Sequence, residues 1–151
     1  KNYTGRYSLE KVALSHDDTT LTVKVTVDMP IRTAARFTGG TFLRLYLTCG
    51  KKDVWGYDRV VCPATDGTCA VCAVQNGICP GEKLTEGSCA IEENTLTLRL
   101  PLAALGVTEN DFRLGWKVAD AKVEITCAED LYDKGDCLPF GRADGVYLGE
   151  L

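Results

Sequence analysis

Between Thr20 and Asp28 the apolar residues Leu21, Val23, Val25 and Val27 alternate with Thr22, Lys24 and Thr26. A repeat of two predicts a β-strand with one buried face, because successive side chains leave a strand on opposite sides. Tyr7 to Ser15 reads as its partner strand. His16-Asp17-Asp18-Thr19 between them offers the short polar residues of a hairpin turn, so His16 is expected in that turn. The pattern returns at Thr41 to Thr48 with Leu43, Leu45 and Leu47, and in shorter form at Gly56 to Cys62, Thr68 to Val74, Thr95 to Leu100 and Phe112 to Asp120. Turn-rich intervals separate these runs, which predicts an all-β fold: an antiparallel sandwich of two sheets. Leu102-Ala103-Ala104-Leu105, between Pro101 and Gly106, predicts one short helical turn.

A length of 151 residues with 45% hydrophobic content suits a single domain spanning 1–151, flanked by short arms at 1–6 and 145–151. Seventeen basic against 21 acidic residues give a net charge of −4, which supplies no counterion-release force toward nucleic acid. No apolar run reaches the ~18 residues of a membrane span. A first residue of Lys1 reads as a processed N-terminus.

Cysteine changes the picture most. Cys49, Cys62, Cys69, Cys72, Cys79, Cys89, Cys127 and Cys137 form an even set, read as four disulfides in an extracellular or cell-surface protein. The sequon Asn2-Tyr3-Thr4 fits that exterior as a glycosylation site. Loop closure favours Cys62 with Cys69 around a turn, Cys79 with Cys89 around a loop and Cys127 with Cys137 around another, leaving Cys49 with Cys72.

Three phrases carry a family likeness: Leu9-Glu10-Lys11-Val12 before a hairpin, Gly56-Tyr57-Asp58, and Pro101-Leu102-Ala103-Ala104-Leu105-Gly106. In that order, over roughly residues 7 to 141, the chain resembles the family-nine carbohydrate-binding modules and the wider DOMON-like β-sandwiches. Asp136-Cys137-Leu138-Pro139-Phe140-Gly141 resembles the closing loop of that family, where an Asp-x-x-Pro pattern approaches a structural calcium. The resemblance implies a jelly-roll-like arrangement and sugar binding between two loop tryptophans. This chain has only Trp55 and Trp116, and Trp116 alternates with Phe112, Leu114 and Val118 as a core residue would.

Catalytic chemistry finds little support. His16 is the single histidine, so neither a zinc site nor a histidine relay can be assembled in the usual way. Cys69-Ala70-Val71-Cys72 lacks the following histidine of c-type haem attachment, and the pairing of Met29 with His16 that haem would require has no reason to form. The acidic stretch with Asp130, Asp133 and Asp136 suits calcium, with solvated acidic loops as the alternative.

Candidate contact residues for a glycan or protein partner are Trp55 and Tyr57, with Phe42, Arg44 and Tyr46 on the face opposite Leu43, Leu45 and Leu47. The arms, with Tyr3 and Tyr7 at one end and Val146, Tyr147 and Leu148 at the other, could add a strand to a neighbouring sheet. The sequence therefore points to a non-catalytic protein that forms a homo-oligomer or homopolymer in a surface filament or layer. A stand-alone carbohydrate-binding protein is the alternative.

Overall fold

A computed structural model describes residues 8–31, 41–49, 57–64, 66–75, 78–107, 111–121, 124–127, 130, 135–139 and 145–150. Among these residues ten strands follow in chain order: β1 (Leu9–His16), β2 (Thr20–Val27), β3 (Thr41–Thr48), β4 (Arg59–Pro63), β5 (Thr68–Gln75), β6 (Cys79–Glu92), β7 (Thr95–Pro101), β8 (Asp111–Ala121), β9 (Gly135–Leu138) and β10 (Gly145–Glu150). A 3-10 turn, Leu102–Leu105, follows β7 as the sequence predicts.

Every strand pairing is antiparallel. Strands β3 to β7 form a meander of successive neighbours. The β1–β2 hairpin attaches to one side of it through β2 and β7, and β8 attaches to the other side along β3. The far edge of β8 is shared: Asp111 to Trp116 pair with β10, and Val118 to Ala121 pair with β9. One unbroken ladder thus joins all ten strands, where the sequence had suggested two separate sheets.

The sheet is barrel-like, and the reason lies in its inward face. Leu21, Val23, Val25 and Val27 of β2, Leu43, Leu45 and Leu47 of β3, Val61, Val71, and Leu96, Leu98 and Leu100 of β7 meet Leu114 and Val118 of β8 in one core. Apolar residues from strands distant in the ladder touch each other only if the sheet curls, and its right-handed twist permits that. The curl brings β1 close to β9 although no ladder joins them.

Part of the outer face is covered as well. Tyr46, Val60, Cys72, Ala119, Ala121 and Cys137 form a second core with Ile78 and Ile125, which lie outside the strands. Residues 124–127 act as a strap over this face. Ile125 N–H donates to Thr41 Oγ1 at 3.1 Å, and Glu124 forms an ion pair with Arg44 at 2.8 Å. Strand β3 is therefore buried on both faces over most of its length.

Candidate functional site at the seam of the sheet

The two ends of the ladder, β1 and β10, face each other across a seam bridged by side chains. His16 is the last residue of β1 and lies just before the turn, where Asp17 Oδ1 accepts from the N–H groups of Thr19 and Thr20. Those two bonds hold the exposed Asp17 carboxyl below its ordinary value. The His16 ring instead reaches the opposite edge, with Nδ1 2.5 Å from the Tyr147 hydroxyl. It also meets Phe112 edge-on at 5.0 Å between ring centres, and Phe112 lies 6.1 Å from Tyr147. A histidine read as a turn residue is thus a tie between the first strand and the last.

Strand β10 is seated by two glycines. Gly145 lies opposite Trp116 and Gly149 opposite Phe112. A Cβ at Gly145 would stand 2.1 Å from Trp116 Cε2, and one at Gly149 would stand 2.2 Å from Phe112 Cζ. Each aromatic ring covers a glycine across the strand pair, an arrangement that restores the apolar cover a glycine lacks. Tyr147 points to the same inner side, while Val146 and Leu148 point outward and are 50% and 73% exposed.

The segment expected to be a free C-terminal arm is therefore a strand of its own sheet. The sequence signal was present: glycines four apart at 145 and 149 match aromatics four apart at 112 and 116. Among the described residues no strand pairs with the outer edge of β10.

No family model, curated protein or solved structure matches the chain.

The other candidate residues are scattered. Phe42, Arg44 and Tyr46 form no outward platform: the first two are 8% exposed and Tyr46 is 0% exposed. Two causes act together. A bulge between Thr41 and Arg44 inserts an extra residue, with Leu43 at φ 38°, so that Phe42 and Leu43 both enter the inner core. The strap then covers Arg44 and Tyr46. The wholly buried Asp120 supports the bulge by accepting from Leu43 N–H at 3.2 Å, and Lys117, also buried, donates from Nζ to the Pro139 carbonyl at 2.9 Å.

Tyr57 packs against Tyr46 at 5.1 Å, and Trp116 belongs to the margin of the inner core. Burial pushes the Tyr46 phenol up to about 12, an effect that the nearby Arg44 only partly offsets.

Asp130 has one carboxylate oxygen committed to Thr126, accepting from its N–H at 3.1 Å and its hydroxyl at 3.3 Å. No group of three or more metal-ligand side chains gathers among the described residues. Asn2, Tyr3, Tyr7, Trp55 and Asp133 lie outside the described residues, as does the side chain of Asp136. No helix among the described residues is long and apolar enough to cross a membrane.

The cysteines divide between the two faces of the sheet. Cys69 and Cys89 belong to the inner core and Cys49 packs against it. Cys72 and Cys137 belong to the outer one, with Cys62 and Cys79 packed beside them. This division separates Cys62 from Cys69 and Cys49 from Cys72, contrary to the pairing suggested by loop closure. Cys79 and Cys89 fall on one strand, β6, where a loop had been expected, and ten residues of extended chain span about 30 Å. Cys49, Cys62, Cys69, Cys72, Cys79 and Cys89 carry thiols in this structure. Burial pushes Cys49 and Cys69 up to about 12 and raises Cys62, Cys72 and Cys89.

Proposed function

We propose that this chain is a non-catalytic, extracellular structural subunit that assembles with copies of itself by strand addition at the outer edge of β10. The observation that carries the reading is that edge. It ends the ladder, it carries Val146 and Leu148 outward, and its Gly-Val-Tyr-Leu-Gly sequence has none of the lysines, prolines or bulges that usually blunt an edge strand. Among the described residues no strand pairs with that edge, and an added strand would enter at the seam, where the His16–Tyr147 tie has to give way to it.

Thiols raised by burial are poor nucleophiles at neutral pH, and the single imidazole is engaged with Tyr147. An oxidising exterior, with cysteines bridged between strands and the curled sheet flattened into two layers, belongs to the same reading. The carbohydrate-binding alternative loses its two-tryptophan clamp, because Trp116 is seated over Gly145.

Electron microscopy and sedimentation of the purified full chain test this. Polymers are expected, and Val146→Lys with Leu148→Lys should abolish them while leaving the circular-dichroism spectrum unchanged. A monodisperse monomer at high concentration that retains a glycan on an array would overturn assembly in favour of sugar binding.

A further inference from the structure

Two tripeptides in the chain have the same form, Gly67-Thr68-Cys69 and Gly87-Ser88-Cys89. The register lays them antiparallel with Thr68 opposite Ser88 and Cys69 opposite Gly87. Beyond the last paired residues, Cys89 N–H donates to the Gly67 carbonyl at 2.9 Å, so each cysteine faces a glycine across the strands. The cysteines therefore occupy one diagonal of a four-residue square on the inner face, and the glycines occupy the other.

Each sulfur reaches across to the opposite strand, that of Cys89 also lying 3.5 Å from the Ala64 carbonyl oxygen. Cys69 Sγ lies 3.6 Å from the Ser88 carbonyl oxygen, and Cys89 Sγ lies 3.2 Å from that of Thr68. Each sulfur thus rests on the residue preceding the other cysteine. Gly87 keeps the space open, since a Cβ there would stand 2.9 Å from Cys69 Sγ and 2.5 Å from the Arg99 carbonyl oxygen. Both sulfurs belong to the inner core, a condition that Cys62 with Cys69, Cys79 with Cys89 and Cys49 with Cys72 do not meet.

We infer that Cys69 and Cys89 are joined by a disulfide in the oxidised protein, a cross-strand bridge between β5 and β6. Diagonal neighbours stand about 7–8 Å apart at Cα, and bridged cysteines about 4.4–6.8 Å. The closing movement is on the order of 1 Å, and glycines at the other two corners put no side chain in its way.

The oxidant is a disulfide donor, either a low-molecular-weight disulfide such as oxidised glutathione or the active-site disulfide of a thiol oxidase. One cysteine thiolate attacks a donor sulfur, forms a mixed disulfide and expels a donor thiolate. The second cysteine thiolate attacks the protein-side sulfur of that mixed disulfide and expels the other donor half. Two protons leave the cysteines and two are taken up by the donor, which gains the two electrons the cysteines lose. Because burial suppresses both thiolates in the folded protein, exchange belongs to the stage before β5 and β6 close over them.

The inference rests on the extracellular reading only for the compartment that supplies the oxidant, and peptide mapping separates the two. Protein isolated without reductant, and fully reduced protein refolded in a mixed glutathione buffer, are alkylated, cut with trypsin and analysed by mass spectrometry. Fragment 60–83 should be found linked to 84–99, with fragmentation placing the link at Cys69, and the linked species should be lost on reduction. Linkage in both samples supports both ideas. Linkage only after refolding supports the bridge and removes the extracellular reading. Cys89 recovered after refolding as an alkylated thiol, or joined to any cysteine other than Cys69, overturns the bridge.

Discussion

Replacing Tyr46 by Phe should stabilise the protein. The side chain is wholly buried in the outer core, and its hydroxyl has no hydrogen-bond partner among the described residues, although the Arg44 guanidinium is near. An unpaired buried polar group carries a desolvation cost of ~1–3 kcal/mol. Phenylalanine fills almost the same space and removes that cost, so the expected gain at pH 7 is about 1 kcal/mol, or ~2–4 °C in Tm for a domain of this size.

The effect should grow in alkali. Burial raises the folded-state phenol from 10.0 to about 12, so the folded protein holds this proton more tightly than the unfolded chain does. The resulting stabilisation is complete below pH 10 and disappears as pH rises through 12. Two pKa units correspond to a loss on the order of 2–3 kcal/mol. Urea unfolding of both proteins between pH 7 and 12 measures the difference directly. A variant less stable than the parent at pH 7 would refute the reasoning by showing that the hydroxyl has a partner, and a difference that stays flat through pH 10 to 12 would refute it by showing that burial does not raise the phenol.

Gly149→Ala places a methyl group within 2.2–2.7 Å of three Phe112 ring atoms. Overpacking costs ~1–3 kcal/mol and outweighs the ~0.4–1 kcal/mol gained by stiffening the unfolded chain. The net loss of about 1 kcal/mol should appear first as faster amide exchange across Gly145 to Glu150, and unchanged exchange would mean that the ring simply swings aside. At the β3 bulge, Asp120→Leu removes the acceptor for the buried Leu43 N–H and should cost on the order of 2–3 kcal/mol in chemical denaturation. Asp120→Asn keeps an acceptor oxygen and should lose less than half as much; equal losses would point to the charge and not to the bulge.

Legibility in the sequence followed the strength of the local pattern. Thr41–Thr48 was readable to the residue and Thr20–Val27 nearly so, because β-branched and leucine side chains alternate there without interruption. β6 was not, since Cys79–Glu92 contains Pro80, Gly81, Gly87 and a run of charges, and its buried positions are few. Its place is fixed by neighbours on both sides, which a local period cannot show. The outward reading of Phe42, Arg44 and Tyr46 failed for a related reason. Alternation tells which residues share a face, but a one-residue bulge shifts the phase, and a strap 80 residues away decides whether that face meets water. The Gly145/Gly149 match to Phe112/Trp116 was legible only once β8 and β10 were known to be partners.

The placement of β2 sets a timetable for the growing chain. Its hairpin with β1 needs only nearby residues, yet its other neighbour, β7, is the last strand of the meander and begins at Thr95. Until then the stripe Leu21, Val23, Val25 and Val27 lacks the β7 part of its core, although β2 precedes β7 in the chain by the whole of β3 to β6. Late closure of this kind slows folding and leaves a sticky surface open to misassociation. Nascent chains halted before Thr95 should thus be the ones most in need of a chaperone, and those extended past Pro101 the first able to do without.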